Sequence, residues 1–189
     1  MNALLPITSE HQANLLGIAR QSIEHGLRQN QPLPIAAKDY PIEWQTPRAV
    51  FVTLTLNEEL RGCIGTLESG QPLVVNVAKY AYSAAFRDPR FPPLTADELP
   101  LLHIAISILS DLEPMSFESE TDLLAQIRAG IDGLLLEEGS CRGTLLPSVW
   151  KSIPETRDFL RQLKRKAGLR PDHWSDKVRL FRYTTVCIP

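Results

Sequence analysis

No apolar run in this sequence comes near the roughly 20 residues that a membrane-spanning helix needs. The N-terminus, MNALLPITSEHQANLL, lacks both the basic start and the apolar core of a secretory leader. These absences make the cytoplasm the expected compartment and set a membrane partner aside. Cysteine is scarce: Cys63, Cys141 and Cys187 are the only three in 189 residues, far apart and odd in number. They form no disulfide framework and, without a CxxC or a neighbouring histidine pair, no zinc site, so no metal or other cofactor is expected. Charge of one sign is lacking too. A net charge of −2 and a pI near 6.1 argue against a general electrostatic grip on nucleic acid or acidic membranes. GxGxxG, Walker, HExxH and GxSxG motifs are absent, so nucleotide-binding and common hydrolase classes have no support.

What is present is the composition of a soluble globular protein: 43% hydrophobic and 22% charged residues. The length suits a single domain over residues 1–189, or two subdomains sharing one core. Thr8 and Ser9 open a helix, Ser9 with Gln12 at capping-box spacing, and Leu16, Ala19, Ile23 and Leu27 then fall on one apolar face. Four prolines make residues 30–47 an extended connector, with Trp44 as its anchor. Residues 49–56 alternate as a strand, Asn57-Glu58-Glu59 turns, and residues 60–67 return. In the return strand Leu60, Gly62 and Ile64 share one face, and Arg61, Cys63 and Gly65 the other. Pro72 opens a helix with the core stripe Leu73, Val77, Ala81 and Ala84 or Ala85, and a strand over residues 103–109 follows.

Further on, the pattern predicts a helix over residues 120–128 and strands over 133–137 and 143–146. A helix runs from Pro154 to Ala167, closed by Gly168, and one long strand spans 178–188. The resulting class is α+β, with a largely antiparallel sheet flanked by helices.

Two segments are candidates for chemistry. Two glycines inside the strand Arg61-Gly62-Cys63-Ile64-Gly65 cost roughly 0.5–1 kcal/mol each relative to alanine. That cost implies a bend, close packing, or a ligand approaching the backbone. Arg61 beside Cys63 favours a thiolate, which makes Cys63 the candidate nucleophile; the alternative is a small buried hydrophobe. A base is needed, and among His11, His25, His103 and His173 only His103 falls in a predicted strand. The second segment, Phe86-Arg87-Asp88-Pro89-Arg90-Phe91-Pro92-Pro93, sets Arg87 and Arg90 on a stiff turn suited to an anionic ligand. Local pairing of Asp88 with these arginines is the other reading. Tyr80 and Tyr82 are candidates to line the same cleft. The last helix carries Arg157, Arg161, Lys164, Arg165 and Lys166, with Arg170 beyond, opposite Phe159, Leu160 and Leu163. A solvated face accounts for that charge without a nucleic-acid role.

Leu60-Arg61-Gly62-Cys63-Ile64-Gly65-Thr66 resembles the signature of the AMMECR domain family. The likeness extends through Ala85–Leu94, Leu146-Pro147-Ser148-Val149 and Lys166-Ala167-Gly168-Leu169 before Trp174. Ser148 departs from the pattern, where glutamine is more usual. The resemblance implies an α+β domain with a smaller second subdomain and the signature strand near a cleft. It also implies the company of a Memo-like protein and a radical S-adenosylmethionine enzyme, since bacterial members are known as protein A of the AmmeMemoRadiSam set. No settled activity comes with the family. The expected site is therefore Cys63 as the reacting thiol, with Arg61, Gly62, Gly65, Arg87 and Arg90 around a small anionic ligand. The competing expectation is a non-catalytic adaptor docking on the Memo-like partner, and a nucleic-acid-associated regulator is the weakest.

Overall fold

The computed structural model describes residues 8–189; positions 1–7 lie outside the described residues. In chain order the elements are α1 (Ser9–Gln29), α2 (Ile42–Gln45), β1 (Val50–Leu56), β2 (Glu59–Gly65), α3 (Leu73–Phe86) and β3 (His103–Leu109). They continue with β4 (Glu113–Pro114), α4 (Glu120–Gln126), β5 (Gly133–Glu138), β6 (Cys141–Leu145), α5 (Thr156–Lys166), β7 (Arg179–Tyr183) and β8 (Thr185–Ile188). The fold is α+β with two four-stranded antiparallel sheets, ordered β2-β1-β3-β8 and β4-β7-β5-β6. The chain divides into two compact units. One runs to Ser110 and takes back Val186–Pro189; the other is Asp111–Thr185.

In the first unit α1 is capped by Thr8, whose hydroxyl accepts the His11 amide at 3.2 Å, so of the two residues read as opening the helix it is Thr8 that caps and not Ser9. The helix buries Leu15, Ile18, Ala19 and Ile23, so the apolar face is turned slightly from the one read in the sequence. The connector is less extended than its prolines suggest, because it holds a 3-10 turn at Ala37–Asp39 and the single turn α2. Trp44 is buried, stacked with Tyr40 and edge-on to His11. The β1–β2 turn uses Asn57 and Glu58, both at positive φ (49° and 68°), the backbone twist that tight hairpins favour.

The α3 stripe of Leu73, Val77, Ala81, Ala84 and Ala85 is buried against Val50, Val52 and Leu54 of β1 and Ile104, Ile106 and Ile108 of β3. Partners across the hairpin run Leu54–Gly62 and then Thr55–Leu60, so Arg61 is the extra residue of a bulge. This breaks the regular alternation read from the sequence, which grouped Leu60 with Gly62: Gly62 is buried but Leu60 is 44% exposed, while the Arg61 side chain is only 11% exposed. A bulge re-aims the side chains on either side of it, and here it lifts the leucine out and lays the arginine down.

In the second unit Leu123, Leu134, Leu136, Phe159, Leu160, Leu163 and Leu180 form the core, with Trp150 stacked on Phe159 at 3.7 Å. Ser119 caps α4 by accepting the Asp122 amide at 3.1 Å. Helix α5 starts at Thr156 rather than Pro154 and ends before Gly168, which takes φ +85°. Lys164 does not join the exposed basic face predicted for it. It is wholly buried, with Nζ 2.9 Å from Glu120 Oε2 and over the Trp174 ring at 5.4 Å. The long last strand also breaks. Arg179–Tyr183 pairs with β5, whereas Thr185–Ile188 joins the other sheet beside β3, with Thr184 between them. Among the described residues, no helix is long and apolar enough to cross a membrane.

Candidate functional site

Strand β2 lies at the edge of its sheet, so alternate backbone groups along it have no strand to bond. Cys63 stands opposite Thr53 of β1, with Sγ 3.3 Å from the threonine Oγ1. Its backbone is held from the other side. Asp88 Oδ2 accepts the Cys63 amide at 2.8 Å, and Arg90 Nη2 donates to the Cys63 carbonyl at 3.2 Å. Arg90 also grips the same carboxylate, Nε to Oδ1 at 2.9 Å and Nη2 to Oδ2 at 2.6 Å, while its own amide donates to Oδ1 at 3.1 Å. Asp88 is buried, yet its carboxyl is held well below the ordinary carboxylate range. The Arg90 side chain is the main cause, followed by burial acting against it, and then by the amides of Cys63 and Arg90. Arg90 is held protonated by Asp88 in return, against the cost of its own burial, and a Cys63 thiolate adds a smaller attraction.

Arg61, the bulged residue, turns to Glu98, with Nε to Oε1 at 2.7 Å and Nη2 to Oε2 at 3.1 Å. Glu98 also accepts the amide and hydroxyl of Thr95. Its carboxyl is lowered to about 2, chiefly by Arg61, with burial opposing and the Thr95 bonds assisting. Arg61 Nη1 is buried without a partner. The Phe91 ring lies within reach of both guanidinium groups, 5.9 Å from that of Arg61 and 5.4 Å from that of Arg90.

The fold thus joins Arg61, Cys63 and Arg90 around Asp88, Glu98 and Phe91. Arg87 has a different role. It donates to the Tyr82 hydroxyl at 3.2 Å, and Tyr82 in turn bonds Asn30 at the end of α1, so Arg87 braces α3 against α1. The two strand glycines are explained by packing. A Cβ on Gly62 would sit 2.2 Å from the Ala84 carbonyl oxygen, and one on Gly65 would sit 2.3 Å from both the Phe51 ring and the Val50 oxygen. Their missing side chains make room for α3 and for Phe51. His103, on β3, pairs with Thr55 of β1 and so lies two strands from β2, roughly 10 Å away by strand spacing alone. The thiol's partner is therefore a hydroxyl and not an imidazole. Among the described residues no group of three His, Cys, Asp or Glu side chains is placed to hold a metal ion.

Sequence reasoning passed over Thr53 and Glu98. Nothing local marks Glu98 as the partner of an arginine 37 positions earlier. Thr53 was no more legible, since a regular hairpin closed at residues 57–58 sets it opposite Gly62, and only the bulge at Arg61 brings Cys63 there. Chemically the cluster offers a half-buried thiol next to a hydroxyl, and an arginine whose side chain stays 52% exposed while bonded to the thiol's own strand.

The AMMECR1 family model matches residues 16–188. A protein of Methanothermobacter thermautotrophicus is 39% identical over 184 residues, covering 94% of this chain and 93% of its own length. One from Methanocaldococcus jannaschii is 36% identical over 185 residues, covering 94% and 89%. The crystal structure of an uncharacterised protein from Pyrococcus horikoshii superposes with a TM-score of 0.88 at 34% identity, over 96% of this chain and 92% of that one.

Proposed function

The chain belongs to the AMMECR1 family, and on that footing we propose that it handles a small anionic substrate at the Cys63 strand, as one component of an AmmeMemoRadiSam-type pathway. Cys63 is the reacting or ligand-contacting thiol. Arg90 supplies the accessible positive charge, Arg61 sets the floor of the site with Glu98, Gly62 lets the strand lie close to α3, and Gly65 makes room for Phe51 of β1. Arg87 acts at one remove, by bracing α3. The observation that carries this reading is Arg90: a single guanidinium bonds the Cys63 carbonyl and keeps about half of its side chain in water. A carboxylate or phosphate arriving there meets a cation next to a nucleophilic atom.

The test is the pH dependence of Cys63 alkylation in the native protein, with the half-buried Cys141 and the exposed Cys187 as internal controls. Selective modification of Cys63 well below the ordinary thiol range near pH 8.5, slowed by added phosphate or a dicarboxylate, supports the reading. A thiol that stays inert until the protein unfolds ends it. A second reading, a docking module for a Memo-like partner, is favoured by one feature. Each guanidinium already carries a carboxylate, so Arg61, Glu98, Asp88 and Arg90 are together neutral. Docking that survives complete alkylation of Cys63 distinguishes that reading from the first.

A further inference from the structure

The Asp88–Arg90 pair stands where the next strand of the sheet would stand. The outward amide and carbonyl of Cys63 need an acceptor and a donor, the two groups that a neighbouring strand residue presents. The Asp88 carboxylate supplies the first at 2.8 Å and the Arg90 guanidinium the second at 3.2 Å. The pair is built to stay. The carboxylate is buried and takes four donors, namely the Cys63 amide and the amide, Nε and Nη2 of Arg90. Pro89 between them, and Pro92 and Pro93 just beyond, stiffen the segment that carries it. It meets β2 at Cys63, inside the strand rather than at a frayed end, so no second strand can run along β2 without displacing it. The edge is otherwise approachable: Arg90 is 52% exposed along its side chain, and Leu60 on the same strand is 44% exposed.

We infer that the Asp88–Arg90 pair is an edge guard, which prevents β2 from pairing with the β2 of a second copy of this chain. The second copy is the fitting occupant, because an antiparallel edge is complementary to itself about a two-fold axis and needs no other sequence to match it. An unguarded seven-residue edge with an exposed leucine is the kind of template on which sheets join. The inference is independent of any reaction at the thiol. It assigns to Arg90 and Asp88 a role that persists even if Cys63 never turns over a substrate.

The experiment compares wild type, Arg90→Ala and Asp88→Ala/Arg90→Ala by sedimentation over a hundredfold concentration range, with amide hydrogen exchange followed across residues 59–65. The expected result is a mass-average that doubles relative to wild type as the concentration of the double variant rises. Exchange in β2 should slow in step, and Arg90→Ala should show the same trend at higher concentration. A double variant with the wild-type mass at every concentration overturns the inference, and so does association that leaves β2 exchange unchanged. Should the double variant fail to fold, Arg90→Ala decides alone, because that side chain is half exposed and its removal uncovers the Cys63 carbonyl directly.

Discussion

Gly62 lies beneath the carbonyl of Ala84, so close that a methyl group on the glycine would stand 2.2 Å from the oxygen. The obstacle is helix backbone, which cannot swing aside as a side chain can. Gly62→Ala should therefore destabilise by about 1–3 kcal/mol, the range for overpacking, seen as a lower denaturation midpoint. Gly65→Ala should behave alike, and Phe51→Ala should relieve it only in part, because the Val50 oxygen stands 2.3 Å away as well. Gly70→Ala, with nothing within 4 Å, is the control and should be nearly neutral.

The Arg61–Glu98 pair predicts an acid limb. The folded carboxyl sits at about 2, against an ordinary value of 4.5. A group depressed in the folded state binds its proton more readily when unfolded, so it stabilises fully above its unfolded value, and the gain is lost as pH falls toward the folded one. The stability difference between wild type and Glu98→Gln should be constant above about pH 5.5 and shrink between pH 4.5 and 2. Urea unfolding of both proteins across that range measures it; a difference that does not change with pH would refute the assignment.

Lys164 and Glu120 should respond unequally to mutation. Lys164 is fully buried, whereas the Glu120 side chain is a third exposed. Removing the acid strands an ammonium in the core; replacing the lysine with a methionine of similar length does not. Glu120→Ala should lower the unfolding free energy by several times as much as Lys164→Met, which should be close to neutral or stabilising. Equal losses from the two single variants would contradict this account.

Tyr183 should govern an alkaline limb. Its hydroxyl is 2.6 Å from Thr144 Oγ1 and donates to the Leu145 carbonyl at 3.2 Å. Burial pushes the phenol well above its ordinary value of 10.0, with the Thr144 bond opposing in part. A group whose folded value is raised contributes stability that is whole below the unfolded value and lost as pH rises past it. Ultraviolet titration should show Tyr183 un-ionised after the ordinary tyrosine range, until the protein unfolds. Tyr183→Phe should remove that delayed phase and cost about 1 kcal/mol for the lost hydrogen bonds.

Local elements were legible because they are written in neighbouring residues. The α3 stripe, the β1–β2 alternation and the stop at Gly168 follow from periods of 3.6 and 2 and from glycine's tolerance of positive φ. The two motifs stood out for their glycines, prolines and arginines, and the family likeness rested on the same residues. Less legible was the inward face of β2. A one-residue bulge at Arg61 changes which side chains point in, and periodicity alone does not register an unpaired residue.

The sequence by itself determined the α+β class, the places of most helices and strands, and the family. Only the tertiary structure decided which charges meet. Arg61 could have paired with any of 22 acidic residues, and chose one 37 positions away because the chain path brings Glu98 under the bulge. Asp88 reaches back 25 positions to the amide of Cys63, and Lys164 crosses 44 to Glu120 and so is drawn out of the basic face its spacing assigned it. Helix and strand periods act over a few residues, whereas ion pairs and edge caps depend on distances that exist only once those elements have packed.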